Sequence, residues 1–277
     1  MKKRLFAINM LLCFLLVFLS ACDKNMQPHL ASPHLFEVGT DHATLMAPWK
    51  IWPEEASYRA SLEHENIEQI TYIMNQKWIP IDLTESRLRY LYLGYRTSQE
   101  VLINHHSIRI GTSDPNIEKR IQEAKEKFID YAFNQSYQPV MLFFMNANYD
   151  RNLKEVKLSM TALINMEEPF LQNTSLVPLL VLDKMPTGTS SHNYTHKNVA
   201  VNSLSLQNGD HEFDGSGYAL SDLLHADNIA QGDTFELVFR VHIPENSLED
   251  PQWKAFFIIE NHQEKTKYGV YKIAIEE

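Results

Sequence analysis

The sequence predicts an exported chain in two parts, an α/β segment followed by an all-β segment folded as an antiparallel β-sandwich. Three observations carry that prediction. A basic, apolar N terminus precedes the folded part, apolar residues recur at helical spacing before residue 134, and strand-like patterns dominate after residue 139. The predicted organisation is a signal segment at 1–21, a tether at 22–34, an α/β domain at 35–134 and a β-sandwich at 139–277.

Lys2, Lys3 and Arg4 precede the run LLCFLLVFLSA, the basic-then-apolar order of a secretory signal. The tetrapeptide LSAC, residues 19–22, resembles the lipobox of bacterial lipoproteins. That resemblance implies that Cys22 becomes the acylated first residue of the mature chain. It also implies a bacterial cell-envelope location, on the inner or outer membrane, facing the periplasm or the cell surface. The membrane partner would then be held through acyl chains, each buried CH₂ worth about 0.8 kcal/mol. No other segment approaches the ~20 apolar residues that span a bilayer.

Residues 23–33, DKNMQPHLASP, are polar with two prolines and read as the tether. LFEVGT at 35–40 reads as a strand. NIEQITYIMNQ at 66–76 places Ile67, Ile70, Ile73 and Met74 at helical spacing, and WIPIDL at 78–83 reads as a buried strand. SRLRYLYLGY predicts a helix through Leu88, Leu91 and Tyr92 that stops at Gly94. EVLIN at 100–104 and SIRIG at 107–111 flank a His105–His106 turn. Asp114 and Pro115 suit a helix start, and IEKRIQEAKEKFIDYAF carries Ile117, Ile121, Ala124, Phe128 and Tyr131 along one side. The polar stretch NQSYQP at 134–139 marks the boundary. Beyond it, VMLFFMN, EVKLSMTALI, VPLLVLD, NVAVNSLSL, TFELVFRVHI, WKAFFIIEN and YGVYKIAI are strand-like. In TFELVFRVHI every second residue is apolar, from Phe235 to Ile243.

The stretch LGYRTSQEVLINHHSIRIGTSDPNIEKRIQEA, 93–124, resembles the second half of a thioredoxin-like domain: the loop, hairpin and last helix. NIEQITYIMNQKWIPIDL is similar to the helix and central strand of secreted thioredoxin-like proteins. The resemblance implies a thioredoxin-like domain over 35–134. Where that family carries Cys-x-x-Cys, this chain reads Thr44-Leu45-Met46-Ala47 and then Pro48. Where it has a cis-proline, this chain has Ser98 or Gln99. The resemblance therefore implies a redox-inactive scaffold whose old active-site rim, Thr44, Met46, Ala47, Trp49, Ser98 and Gln99, is the candidate surface for a partner peptide. HNYTHKNVAV and the closing AFFIIENHQEKTKYGVYKIAI resemble the β-rich part of some bacterial outer-membrane and secreted lipoproteins with a thioredoxin-like part.

The chain has two cysteines, Cys13 and Cys22. The first leaves with the signal and the second takes the lipid, so thiol exchange, which needs a thiolate, has no residue to use. The net charge of −10 becomes −13 once Lys2, Lys3 and Arg4 are removed, which opposes nucleic-acid binding. His192 and His196, four apart on a strand-like segment, share a face and are weak candidates for one metal. His105, His106 and His211 are further imidazoles that no spacing brings together. DHEFDG at 210–215 loosely follows a calcium-loop pattern through Asp210 and Asp214, but its twelfth position is Ser221 with Asp222 beside it. Asp41 and His42 with Thr40 or Thr44 give an acid, a base and a hydroxyl without an oxyanion donor, and no G-x-S-x-G occurs. Trp49, Trp52 and Tyr58 suit either a groove or packing.

The expected function is non-enzymatic binding or assembly with an envelope protein, without a cofactor. The alternative is a metal-assisted envelope enzyme with its site around His192 and His196. Purified, tag-free ectodomain is expected to give no turnover in an insulin-disulfide reduction assay; measurable turnover contradicts the loss of thiol chemistry.

Overall fold

A β-rich fold is built around one large mixed sheet and one smaller antiparallel sheet. The computed structural model describes residues 28–29, 32–40, 52–74, 81–95, 100–109, 115–135, 141–150, 152–164, 173–186, 194–207, 213–224, 232, 234–244, 251–261 and 266–275. The first part runs β1 (Pro28–His29), β2 (His34–Thr40), α1 (Trp52–Glu63), β3 (Ile67–Ile73), α2 (Thr84–Tyr92), β4 (Glu100–Ile103), β5 (His106–Arg109) and α3 (Ile117–Phe133). The second runs β6 (Met141–Asp150), β7 (Glu155–Ile164), β8 (Thr174–Pro186), β9 (Thr195–Ser203), β10 (Ser205–Leu206) and β11 (Tyr218–Ala219). It ends with α4 (Leu220–Leu224), β12 (Thr234–His242), β13 (Trp253–Asn261) and β14 (Thr266–Ile275).

The larger sheet has the order β14-β13-β8-β9-β3-β2-β4-β5, with β11 added against β8. β2 and β3 are parallel, with Glu37 beside Ile70, and β4 lies antiparallel on the other side of β2. β4 and β5 form a hairpin whose turn residues Asn104 and His105 have φ of 49° and 71°. Two successive positive φ angles match the primed turns that follow strand twist, and Asn is among the residues that tolerate them. The smaller sheet has the order β1-β6-β7-β12-β10, antiparallel throughout.

The larger sheet closes on itself. Ser32 donates its N–H to the Val270 carbonyl at 2.8 Å, and Val270 donates back to Ser32 at 3.1 Å. This bridge joins the chain just before β2 to the edge strand β14, so β2, β3, β9, β8, β13 and β14 form a ring. Leu35, Ile70, Val177, Ala200, Phe256 and Val270, one from each of those strands, belong to a single buried cluster inside it. A second cluster lies outside the ring on the β2–β4 side, where Phe36, Val38 and Val101 meet α1 and α3. A third fills the space between the ring and the smaller sheet, with Phe143 stacking edge-on against Tyr271 at 4.4 Å between ring centroids. Every residue of β2 and β3 is buried because both faces of these strands carry a core.

Several elements differ from the sequence reading. Within 66–76, residues 67–73 form the strand β3, not a helix: isoleucines three apart fit helical spacing, but all of 67–73 is buried and no solvent-exposed face exists. The helix lies earlier, in WPEEASYRASLE, where Trp52, Ala56 and Ala60 form the stripe that meets α3. The order strand, helix, strand, helix, hairpin, helix is thus the expected one, with the first helix and second strand displaced toward the N terminus. Of the strand expected at 78–83, residues 78–80 lie outside the described residues. Ile81 and Leu83 are buried, but in irregular backbone leading into α2. The α2 helix forms as expected but turns its other side inward: Ser86, Arg89 and Tyr90 are buried while Leu91 and Tyr92 are exposed. Asn116 caps α3, accepting from the N–H groups of Glu118 and Lys119 at 3.0 and 3.2 Å; Asp114 lies outside the described residues.

The boundary expected at 134–139 divides the sequence but not the sheet. β3 pairs in parallel with β9 at Thr71 and Val199, and the ring interior draws strands from both sides of that boundary. The tether expected at 22–34 is partly built into the body. Pro28 and His29 pair with Phe144 and Phe143 on β6, Ser32 closes the ring, and β2 begins at His34.

Gly39 shows how tightly the ring mouth is filled, since a Cβ there would sit 2.6 Å from the Tyr95 ring and 2.7 Å from Tyr90. Gly39→Ala is expected to lower the urea midpoint, by about 1–3 kcal/mol of overpacking. An unchanged midpoint contradicts this packing.

Candidate functional site

Glu37 follows Leu35 on the inward face of β2, and Glu260 stands on β13 across the ring. Both carboxylates are fully buried. A lone buried carboxylate is costly, so each needs a partner. Arg89 supplies it from α2 with a side chain that is 0% exposed. Its Nη1 donates to Glu260 Oε1 at 2.7 Å and to the Gly215 carbonyl at 2.8 Å. Its Nη2 donates to Glu260 Oε2 at 2.6 Å and to Glu37 Oε1 at 3.3 Å. The Arg89–Glu260 pair is bidentate, the geometry that suits a planar guanidinium. The Tyr72 hydroxyl donates to Glu37 Oε1 at 2.9 Å, and His105 Nε2, at the hairpin tip, lies 3.1 Å from Glu260 Oε2.

Electrostatics follow the geometry. Burial pushes the Glu260 carboxyl upward, but Arg89 and His105 outweigh it and hold the group well below the usual carboxylate range. The Arg89 guanidinium, disfavoured by burial, is held charged chiefly by Glu260. Burial raises the Tyr72 phenol to about 12, with Arg89 opposing that shift. Arg89 and Glu260 therefore face one another as a charged pair, each holding the other ionised. The cluster's chemistry is that of a lock. It fastens α2, β2, β13, the β4–β5 hairpin and the turn at Gly215 to one point.

The cluster adjoins the strand end from which the predicted rim departs. β2 ends at Thr40, whose carbonyl accepts from the Met74 N–H at 3.0 Å, and the Tyr90 and Tyr95 rings close over Gly39. Tyr95, the residue before 96–99 in sequence, lies with its ring against Gly39 at this strand end. The Tyr95 hydroxyl is buried and, among the described residues, unpartnered. The rim residues Thr44, Met46, Ala47, Trp49, Ser98 and Gln99 lie outside the described residues, as do Asp41, His42 and Cys22.

The weak metal candidates separate. His192, Asp210 and His211 lie outside the described residues. His196 is buried on β9, its Nδ1 2.9 Å from Glu54 Oε2, while Glu54 Oε1 accepts from the Lys197 N–H at 2.8 Å. It pins the first turn of α1 to β9. Asp214 is exposed and accepts from the Ser216 N–H at 2.7 Å, and the Gly215 carbonyl beside it is taken by the Arg89 guanidinium. A cation in that position disfavours calcium there. Among the described residues no three His, Cys, Asp or Glu side chains converge as a metal site. Trp52 is packed in the core of α1 and α3, and Tyr58 is half-buried beneath Lys197 Nζ at 5.6 Å.

Sequence reasoning missed the lock altogether. Arg89 sits in SRLRYLYL on a helix whose apolar residues suggested a different buried side, and its partners lie 52 and 171 residues away. The one local signal was an isolated Glu37 inside the apolar strand LFEV.

No family model matches the chain, and no curated protein matches it. Among solved structures, HBP35 of Porphyromonas gingivalis is similar in fold. It has a TM-score of 0.59 and 14% sequence identity, with 89% of this chain and 76% of that one covered. At that identity the likeness speaks of fold alone. A superoxide reductase in the oxidised state aligns over 51% of this chain and 91% of its own, with 12% identity and a TM-score of 0.20, too low to carry an argument.

Arg89→Met strands two buried carboxylates and is expected to destabilise the protein by about 3–5 kcal/mol. Because the folded Glu260 carboxyl is depressed, its stabilisation is complete at neutral pH and is lost as pH falls below the unfolded value, about 4.3. In urea titrations the gap between wild type and Glu260→Gln is therefore expected to narrow in acid. A gap that stays constant contradicts the ion pair.

Proposed function

We propose that this chain is a lipid-anchored protein of the bacterial cell envelope that acts by binding another protein, not by catalysis. Its first part serves as a thioredoxin-like scaffold without thiol chemistry, and its second as a β-sandwich module fused to it. One observation carries the scaffold reading. β2, α1, β3, α2, β4, β5 and α3 follow one another with sheet order β3-β2-β4-β5, a parallel β2–β3 pair and an antiparallel β4–β5 hairpin. That succession of elements supports the thioredoxin-like resemblance read over residues 35–134. The smaller sheet facing β8, β9, β13 and β14 across an apolar layer supports the sandwich reading.

Binding is favoured over catalysis because the mature chain would carry no cysteine besides Cys22 and because the described charged cluster is spent on its own partners. The metal-assisted alternative around His192 and His196 loses support from the contact of His196 with Glu54. The rim at Thr44–Ala47, Trp49, Ser98 and Gln99 is the proposed partner surface. In sequence Thr44 follows β2 by four residues and Gln99 precedes β4 by one, and the described residues at the end of β2 are closely packed, so a peptide would meet a preorganised support.

Met46→Ala, Trp49→Ala and Gln99→Ala combined are expected to remove one or more proteins from crosslinked pull-downs of envelope extracts while leaving the thermal midpoint within experimental error. An unchanged partner list dismisses the rim. Stoichiometric zinc or calcium in purified protein would instead revive the enzymatic alternative.

A further inference from the structure

We propose that the outer face of the smaller sheet, at its β1–β6 edge, lies against the lipid surface that holds the anchor. This rests on the lipidation of Cys22 proposed above and adds an orientation to it. Among the described residues the first paired one is Pro28, opposite Phe144 on β6. Between it and Cys22 stand residues 23–27, and no chain conformation carries six residue steps further than about 20 Å. The β1 edge is therefore confined to the vicinity of the headgroups, whatever path those residues take.

The composition of the face fits that position. On β6, burial alternates so that Phe144, Asn146 and Asn148 point away from the core, and their neighbours across β7 are Thr161, Ser159 and Lys157. From Met141 to Tyr149 the strand carries no charged residue. In a chain of net charge −10, the outward residues beside β1, Phe144, Asn146, Ser159 and Thr161, include no carboxylate. The nearest outward row on β12 holds Glu236, Val238 and Arg240, one acid and one base. The acids Asp150 and Glu155 stand together at the far end of the β6–β7 pair. A stretch of sheet without carboxylates meets zwitterionic or anionic headgroups without the repulsion the rest of the chain would feel. α3 lies outside the ring on the β2–β4 side, whereas the smaller sheet packs on the side of β8, β13 and β14.

The test uses full-length protein, exported and acylated in bacteria. It is reconstituted in phosphatidylethanolamine–phosphatidylglycerol vesicles that carry an acceptor dye on the headgroups. With Cys22 blocked by lipid, a single added cysteine takes the donor dye cleanly. Asn146→Cys on β6 and Lys127→Cys on exposed α3 are compared. Sheet layers are spaced about 10 Å apart, so energy transfer from position 146 is expected to exceed that from 127 by about twofold or more. A long Gly/Ser insertion after Asn25 is expected to abolish the difference. Equal transfer from both positions in vesicles that float with the protein overturns the orientation while leaving the anchor intact. Protein that fails to float with the vesicles overturns the anchor, and the orientation with it.

Discussion

The Arg89 guanidinium is the constraint on which the rest of this structure depends. Two carboxylates face the interior of a closed ring of strands, one on β2 and one on β13, and neither tolerates that place without a counter-charge. Meeting that demand requires α2 to cross the ring mouth at a fixed height and turn a charged side chain inward. Its hydrophobic residues Leu91 and Tyr92 are left partly in solvent as a consequence. The turn at Gly215 must approach as well, because its carbonyl accepts from Arg89 Nη1. Only glycine fits there, with φ of 100° and a Cβ position 2.7 Å from Tyr92. An apolar helix face over an apolar ring would seal equally well, yet it would not select one rotation of α2 about its axis. The ion pair does.

The same interaction explains why the two halves of the chain do not behave as separate packing units. The bond between Arg89 and Glu260 spans 171 residues of sequence, and Ser32–Val270 and Glu54–His196 cross the same divide. Each joins an element of the α/β part to a strand of the β-rich part. Together they position the end of β2, where Gly39 is enclosed by two tyrosines. A binding surface built on loops leaving that strand end would inherit its rigidity from the ring below. Arg89, Glu37 and Glu260 are committed to the support itself.

What could be read from the sequence divides along physical lines. Strands with one exposed face were legible: Leu237, Phe239 and Val241 in β12 alternate with exposed Glu236 and Arg240 and lie where that pattern puts them. The α3 helix was legible for the same reason, its stripe running through Ile121, Ala124 and Phe128. β3 was not, because a strand covered on both sides has no alternation, and Ile67, Ile70 and Ile73 then imitate a helix. α1 was overlooked because its buried stripe uses Ala56 and Ala60, whose small side chains give a weak amphipathic signal. Ring closure by Ser32 and the Arg89 lock were beyond local pattern altogether. Both depend on residues brought together from distant parts of the chain, and only an isolated acid in the strand LFEV hinted that a buried charge awaited a partner.

Native-state hydrogen exchange on the wild-type protein tests the central claim most directly, by comparing the amides of Val38 on β2 and Ile258 on β13. If Arg89 binds both strands into one cooperative unit, the two report the same opening free energy and lose protection together as urea is added. Opening free energies separated by more than about 2 kcal/mol, with β13 exchanging while β2 stays protected, would mean that the halves unfold independently. The ion pair would then be a passive contact between two self-sufficient domains.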